Sequence, residues 1–180
     1  TEYCEYGNMY DFLHNPDQQM TWKVRLLMAT DTARAMLYLH RRAGIIQRDL
    51  KSANLLIAEN FHIKLADFGL SRRMSANMET YCGTPAYMAP EIVRQEDYSE
   101  KADVFSFSII RWELVTRMEP YVGLTGLGLA YSVANDNLRP EIPAYCPDEF
   151  AHLIELCWEH NQARRPNFEA VLQMLQDMQN

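Results

Sequence analysis

From residue 99 to about residue 116, the apolar residues Val104, Phe105, Phe107, Ile109, Ile110, Trp112, Leu114 and Val115 fall on nearly every face of a helix. A helix without a polar side has to be wrapped by other elements, so this stretch predicts a central buried helix in a mainly α domain. With 180 residues, 48% hydrophobic and 23% charged, the chain holds enough apolar material for one such wrapped core. Ser108 and Arg111 interrupt the apolar surface, and Arg111 needs a partner or a path to solvent.

The flanking segments supply the wrapping. Residues 21 to about 42 carry Val24, Leu27, Met28, Ala35 and Leu39 at helical spacing, with Thr21 placed to cap the start and Gly44 just past the end. Two later amphipathic runs follow Asp148 (Phe150, Leu153, Ile154, Cys157) and Asn167 (Phe168, Val171, Leu172, Leu175, Met178), each polar residue being a candidate cap. Short β-type runs stand at Ile45-Ile46, Leu55-Leu56-Ile57 and Ile63-Lys64-Leu65, the last two joined as a hairpin across residues 58–62. Residues 69 to 83 read as a long loop, a feature that in compact domains is functional or mobile. No repeat or linker composition interrupts residues 1–180, which are expected to form one domain.

A net charge of −7 opposes binding to a phosphate backbone, so no nucleic-acid partner is expected. Apolar windows such as residues 26–29 and 105–110 stop short of the ~20 residues a spanning helix needs, and no signal-peptide pattern opens the chain. Cys4, Cys82, Cys146 and Cys157 lack Cys-x-x-Cys spacing and read as free thiols, which points to a reducing, cytoplasmic setting.

The chemistry is concentrated around the hairpin. Arg48-Asp49-Leu50-Lys51-Ser52-Ala53-Asn54 precedes it and Asp67-Phe68-Gly69 follows it. Because a hairpin brings its ends together, Asp49, Asn54 and Asp67 should converge at one mouth, a hard-oxygen cluster suited to Mg²⁺ with positions open for phosphate oxygens. Any one of them alone reads as an Asx turn or cap. The spaced set does not, since the first motif arises by chance at a given position of order once in a million.

These residues resemble those of the protein kinase superfamily, and the resemblance runs the length of the chain. Gln47 to Asn54 is similar to the catalytic loop, Asp67-Phe68-Gly69 to the metal-binding motif, and Ala89-Pro90-Glu91 to the end of the activation segment, which would span residues 67–91. Asp103 and Arg165-Pro166 are similar to structural anchors of the family, and Gly83-Thr84-Pro85-Ala86-Tyr87-Met88 with Cys157-Trp158 resembles its tyrosine-kinase-like group of serine/threonine kinases. The resemblance implies the helical carboxy-terminal lobe of a kinase, with a small hairpin at the catalytic mouth and an amino-terminal lobe upstream of Thr1.

The resemblance also implies roles. Asp49 would receive or orient the proton of a protein substrate's hydroxyl, Lys51 would steady the transferring phosphoryl group, and Asn54 and Asp67 would hold Mg²⁺ on the phosphates of ATP. Thr1-Glu2-Tyr3-Cys4 is similar to the hinge that receives adenine through the main chain of Glu2 and Cys4, with Asn8 and Asp11 near the ribose and Leu56 under the ring. Arg48, read as an unpaired guanidinium, implies control by a phosphate on the activation segment. Thr80 is the expected switch, while Thr84 resembles the residue that bonds Asp49 and Lys51. Glu91 and Arg165 are expected to form a buried ion pair, and Arg72 and Arg73 a solvated basic face. Lys51 and Thr84-Pro85 resemble serine/threonine rather than tyrosine kinases.

Gln47 departs from the family, which has His there as a packing link to Asp-Phe-Gly. Without the other lobe this chain should bind ATP poorly. Two main functions stay open: a fragment of an ATP-dependent serine/threonine kinase, or a non-catalytic kinase-like scaffold, with a dual-specificity or tyrosine kinase as a further alternative.

Overall fold

The computed structural model describes residues 4–67, 69–73 and 83–179. The stretch that is apolar on nearly every face forms helix α4 (Lys101–Thr116), and every residue from Ala102 to Val115 is buried, as its lack of a polar side requires. Helices α2 (Trp22–Tyr38) and α6 (Asp148–Cys157) pack on it, and α7 (Phe168–Asp177) packs on α2. The buried apolar side chains form one cluster running from Met9 to Leu175.

Helix ends follow local chemistry. The Thr21 hydroxyl accepts from the Val24 amide at 3.4 Å, and the Asn167 side chain accepts from the Ala170 amide at 2.9 Å, so two of the three expected caps form. Asp148 is not a cap. Pro147 holds that position and Asp148 sits in the first turn, where its charge suits the helix dipole instead. Past Tyr38 the chain widens into a π turn (Leu39–Ala43) and stops at Gly44, whose φ of 64° is cheap for glycine. The carboxyl end of α4 is held by neighbours: Arg25 donates to the Leu114 and Val115 carbonyls, and Arg117 donates to the carbonyls of Leu13, Asn15 and Gln18.

Strands β2 (Leu55–Ile57) and β3 (Ile63–Leu65) form the expected antiparallel hairpin with Leu56 opposite Lys64. Strand β1 (Ile45–Ile46) pairs elsewhere. Its partner is β4 (Arg72–Arg73), with Ile45 opposite Arg73 and Ile46 opposite Arg72, so the expected loop begins with a strand. Arg72 is exposed, in keeping with a solvated basic residue. The described residues also form the α-helices α1 (Met9–His14), α3 (Pro90–Val93) and α5 (Gly126–Asn135), with α3 packed on α5.

Arg111 is buried without a counter-ion among the described residues, and its Nε and Nη1 carry no hydrogen bond there. It is fully buried, its Nη2 donates to the Phe150 carbonyl at 3.0 Å, and its guanidinium lies 3.9 Å from the centre of the Phe150 ring. Desolvation brings its pKa down to about 10, which leaves it charged at neutral pH. Ser108 spends its hydroxyl on the Phe105 carbonyl at 2.6 Å.

Candidate active site

The hairpin assembles the site as its sequence spacing predicts. The Ala66 amide donates to the Asn54 carbonyl at 2.9 Å, which brings Asp67 beside Asn54. Asn54 Nδ2 donates to the Asp49 carbonyl at 2.9 Å and to Asp49 Oδ2 at 3.2 Å, so Asp49, Asn54 and Asp67 share one mouth.

Around Asp49 the contacts close into a triangle. Lys51 Nζ lies 2.8 Å from Asp49 Oδ2 and donates to Thr84 Oγ1 at 2.9 Å, while the Thr84 hydroxyl donates to Asp49 Oδ1 at 2.8 Å. Gly83 allows this approach of Thr84. Its φ is 115°, and a Cβ there would stand 2.9 Å from the Arg48 carbonyl oxygen, so a side chain is excluded twice over.

Asp103, at the start of α4, anchors the loop that carries Asp49 from beneath. Its Oδ2 accepts from the Gln47 amide at 2.9 Å and from His40 Nε2 at 2.7 Å, and its Oδ1 accepts from the Arg48 amide at 2.9 Å. The loop above is thereby fixed to the most buried helix, with Arg48 held at a φ of 65°. The Arg48 guanidinium is not unpaired, contrary to the sequence expectation: Nε donates to the Leu70 carbonyl at 2.7 Å and Nη1 to the Tyr98 hydroxyl at 3.2 Å. Both acceptors are neutral, so these bonds place the charge without cancelling it.

Asp67 takes a φ of 56° and its Oδ1 accepts from the Gly69 amide at 2.9 Å. Asn54 Oδ1 and Asp67 Oδ2 carry no bond within the described residues, and two such oxygens on one mouth fit a hard divalent cation.

The family profile described as protein tyrosine and serine/threonine kinase matches residues 1–175. The chain belongs to the protein kinase superfamily. Its mainly helical fold with a small hairpin at the mouth is that of the kinase carboxy-terminal lobe. Similar proteins include the probable serine/threonine-protein kinases drkB and drkC of Dictyostelium discoideum, 41% and 42% identical over 99% and 98% of this chain. The serine/threonine/tyrosine-protein kinase HT1 of Arabidopsis thaliana is 40% identical over 98% of it. The chain spans 26% of drkB, 24% of drkC and 46% of HT1.

At the other end of the kinase lobe, the Gly7 carbonyl accepts from the Ile57 amide at 2.8 Å and Asn8 bridges to Leu56, so residues 6–8 lie along the hairpin. Cys4 and Leu56 are half-buried there. The Asn8 side chain caps α1, accepting from the Asp11 amide at 2.9 Å and donating to the Asp11 carboxylate at 2.8 Å. Thr1, Glu2, Phe68 and Thr80 lie outside the described residues.

Sequence reasoning missed a second polar centre under the catalytic loop. Glu113 of α4 is fully buried, and its Oε1 accepts from Ser52 Oγ and from the Tyr87 hydroxyl, each at 3.0 Å. Burial pushes its pKa up to about 8, with the two hydrogen bonds opposing, so it is mainly protonated at neutral pH. The signal was present: a carboxylate inside an otherwise apolar helix needs an explanation. As expected, Glu91 and Arg165 form a buried bidentate pair at 2.6 and 2.8 Å. Among the described residues, no helix is long and apolar enough to cross a membrane.

Proposed function

We propose that this chain is the catalytic lobe of an ATP-dependent serine/threonine protein kinase, which moves the γ-phosphoryl group of ATP to serine or threonine hydroxyls of protein substrates. The Asp49–Lys51–Thr84 triangle carries this reading. Among the described residues, Oδ2 of Asp49 is filled by Lys51 and Asn54, whereas Oδ1 accepts only from Thr84 and keeps one lone pair. That lone pair is the acceptor for the substrate hydroxyl, which it orients and whose proton it receives. The Lys51 ammonium beside it supplies positive charge where the phosphoryl group passes. Asn54 Oδ1 and Asp67 Oδ2 would hold Mg²⁺, which when bound offsets the charge of the ATP phosphates.

Adenine is assigned to the main chain of Glu2 and Cys4, with Leu56 under the ring. Asn8 is spent on capping α1, so Asp11 is the better candidate for the ribose. The amino-terminal lobe that covers the phosphates would lie upstream in the full-length protein. The charge of Arg48, held among the described residues by neutral acceptors, supports control by a phosphate on the activation segment, with Thr80 as the proposed acceptor. Buried free thiols at Cys146 and Cys157 suit a reducing, cytoplasmic setting.

The test is phosphoryl transfer by the full-length protein to a generic protein substrate, followed by identification of the modified residue. Transfer to serine or threonine that is lost in Asp67→Asn supports the reading. Transfer to tyrosine as well would favour dual specificity, the activity that HT1's name carries. No transfer from a folded, Mg·ATP-saturated protein would leave the scaffold function. Full activity of Thr80→Ala would remove that residue as the switch.

A further inference from the structure

Three elements meet around a hollow of about 590 Å³. Trp22, Val24 and Leu27 line it from the first turns of α2, Phe61 from the hairpin turn, and Met178 from just past α7. Each wall is tied down from behind. The Trp22 ring stands edge-on to Phe150 with centres 4.9 Å apart, and the Phe61 ring stacks on Tyr6 at 5.1 Å. Gln179 Nε2 donates to Thr30 Oγ1 at 2.9 Å, which holds the end of α7 against α2. The hairpin turn has an unusual backbone: Asn60 and Phe61 take φ values of 56° and 64°, a left-handed conformation that bulky side chains rarely adopt. With its ring spent on Tyr6 and Phe12, Phe61 borders the hollow without filling it.

We propose that this hollow is a binding site for a small amphiphilic carboxylate, an acyl or aryl chain that ends in one carboxylate group. Its volume lies within the roughly 300–1,000 Å³ of small-molecule sites, and it shares their pattern of apolar walls with few polar groups. The walls take the chain. Trp22 keeps 37% of its surface exposed at the rim, and a bound chain would cover it. Lys23 takes the charge: it is the one charged residue lining the hollow, and it has no ion pair among the described residues. Asn60 lines the same space with an amide able to donate to the second carboxylate oxygen. A single ammonium matches a monoanion, whereas a phosphate, with about two charges, suits a chain of net charge −7 less well. None of the residues proposed above for adenine, ribose or Mg²⁺ lines the hollow, so it is a second site.

The experiment titrates the full-length protein with dansyl-aminoundecanoate, whose fluorescence rises in an apolar site. The probe is then displaced with decanoate, or with decanol, which has the same chain and no charge. Wild type is compared with Lys23→Gln and Leu27→Asp. One saturable site per chain is expected, with decanoate the better competitor. Lys23→Gln should weaken decanoate by about two- to fivefold, the weight of one exposed ion pair, and leave decanol unchanged. Leu27→Asp should weaken both by about tenfold or more, because it sets a charge in the apolar wall. Bound decanoate should also slow hydrogen exchange at the amides of residues 60–62 and leave α5 unchanged. Several probe molecules per chain, or equal affinity in all three proteins, would overturn the proposal. Absence of saturable binding would overturn it too and leave the hollow to a protein segment. Equal displacement by decanol, with no effect of Lys23→Gln, would reject the carboxylate. If Leu27→Asp lowers the thermal midpoint, Trp22→Ala decides, since Trp22 stands outside the buried cluster; unchanged affinity there rejects the site.

Discussion

The Glu91–Arg165 pair and the Asp49–Lys51–Thr84 triangle are both built on a carboxylate and a cation, yet they are finished differently. Glu91 and Arg165 are 2% and 1% exposed, and Arg165 also donates to the carbonyls of Glu159, Lys101 and His160. Nothing is left over to meet a substrate. At the mouth, the side chains of Asp49 and Lys51 are 11% and 24% exposed, and among the described residues Asp49 Oδ1 keeps an acceptor position free. A closed pair locks the architecture, while an open one is poised for chemistry, so the two should respond to mutation in different observables.

The largest effect should come from the open centre. In the full-length protein, Asp49→Asn is expected to lower kcat by roughly 10²–10⁴-fold, the usual contribution of a positioned proton acceptor, with little change in thermal midpoint. A matching loss of stability would show that Asp49 is structural. The closed pair should behave in the opposite way. Arg165→Met leaves Glu91 buried without its partner and should cost about 3–5 kcal/mol in a denaturant titration. A loss below about 1 kcal/mol would mean that the pocket admits water and the pair is less closed than its geometry indicates.

Glu113 sharpens the contrast, because it is a buried carboxyl with no cation paired to it among the described residues. Its pKa rises from the ordinary 4.5 to about 8 on burial, so between these values the folded protein holds a proton that the unfolded chain has lost. Stability from this group is therefore full below pH 4.5, falls as pH rises through the window by at most about 1.4 kcal/mol per pH unit, and levels off above pH 8. Glu113→Gln should flatten that part of the stability profile measured from pH 5 to 8. An unchanged slope would show that Glu113 ionises normally in the fold. The smallest effect is local: Asn167→Ala removes the cap of α7 and should cost about 1 kcal/mol without touching either centre, read as a shift in denaturation midpoint.

How well each element could be read from residues follows the range of the interactions that make it. Helices α2, α4, α6 and α7 announce themselves by periodicity, since 3.6-residue spacing and caps are properties of neighbouring residues. Helix α1 is only six residues long, and α5 opens Gly126-Leu127-Gly128, with glycines that weaken any helical signal, so both escaped notice. Strand β4 is two arginines with no β signature, and it is a strand only because Ile45-Ile46 offers an edge some 27 residues earlier in the chain. The candidate site residues Asp49, Lys51, Asn54, Asp67 and Thr84 stand out in the sequence because their identities and spacing form motifs.

Which atoms meet was a separate matter. The motif marks Gln47 as an exception, but its amide finds Asp67 and Ser71 only once those two residues are brought against it. Arg111 and Glu113 are two residues apart on the same helix, and they find opposite solutions, an aromatic face and a pair of hydroxyls, according to what the neighbouring elements bring to each side. Residue types and local spacing are enough to name the elements and the chemistry they carry. Burial, partners and protonation depend on groups that are distant along the chain, and these are set only when the elements pack.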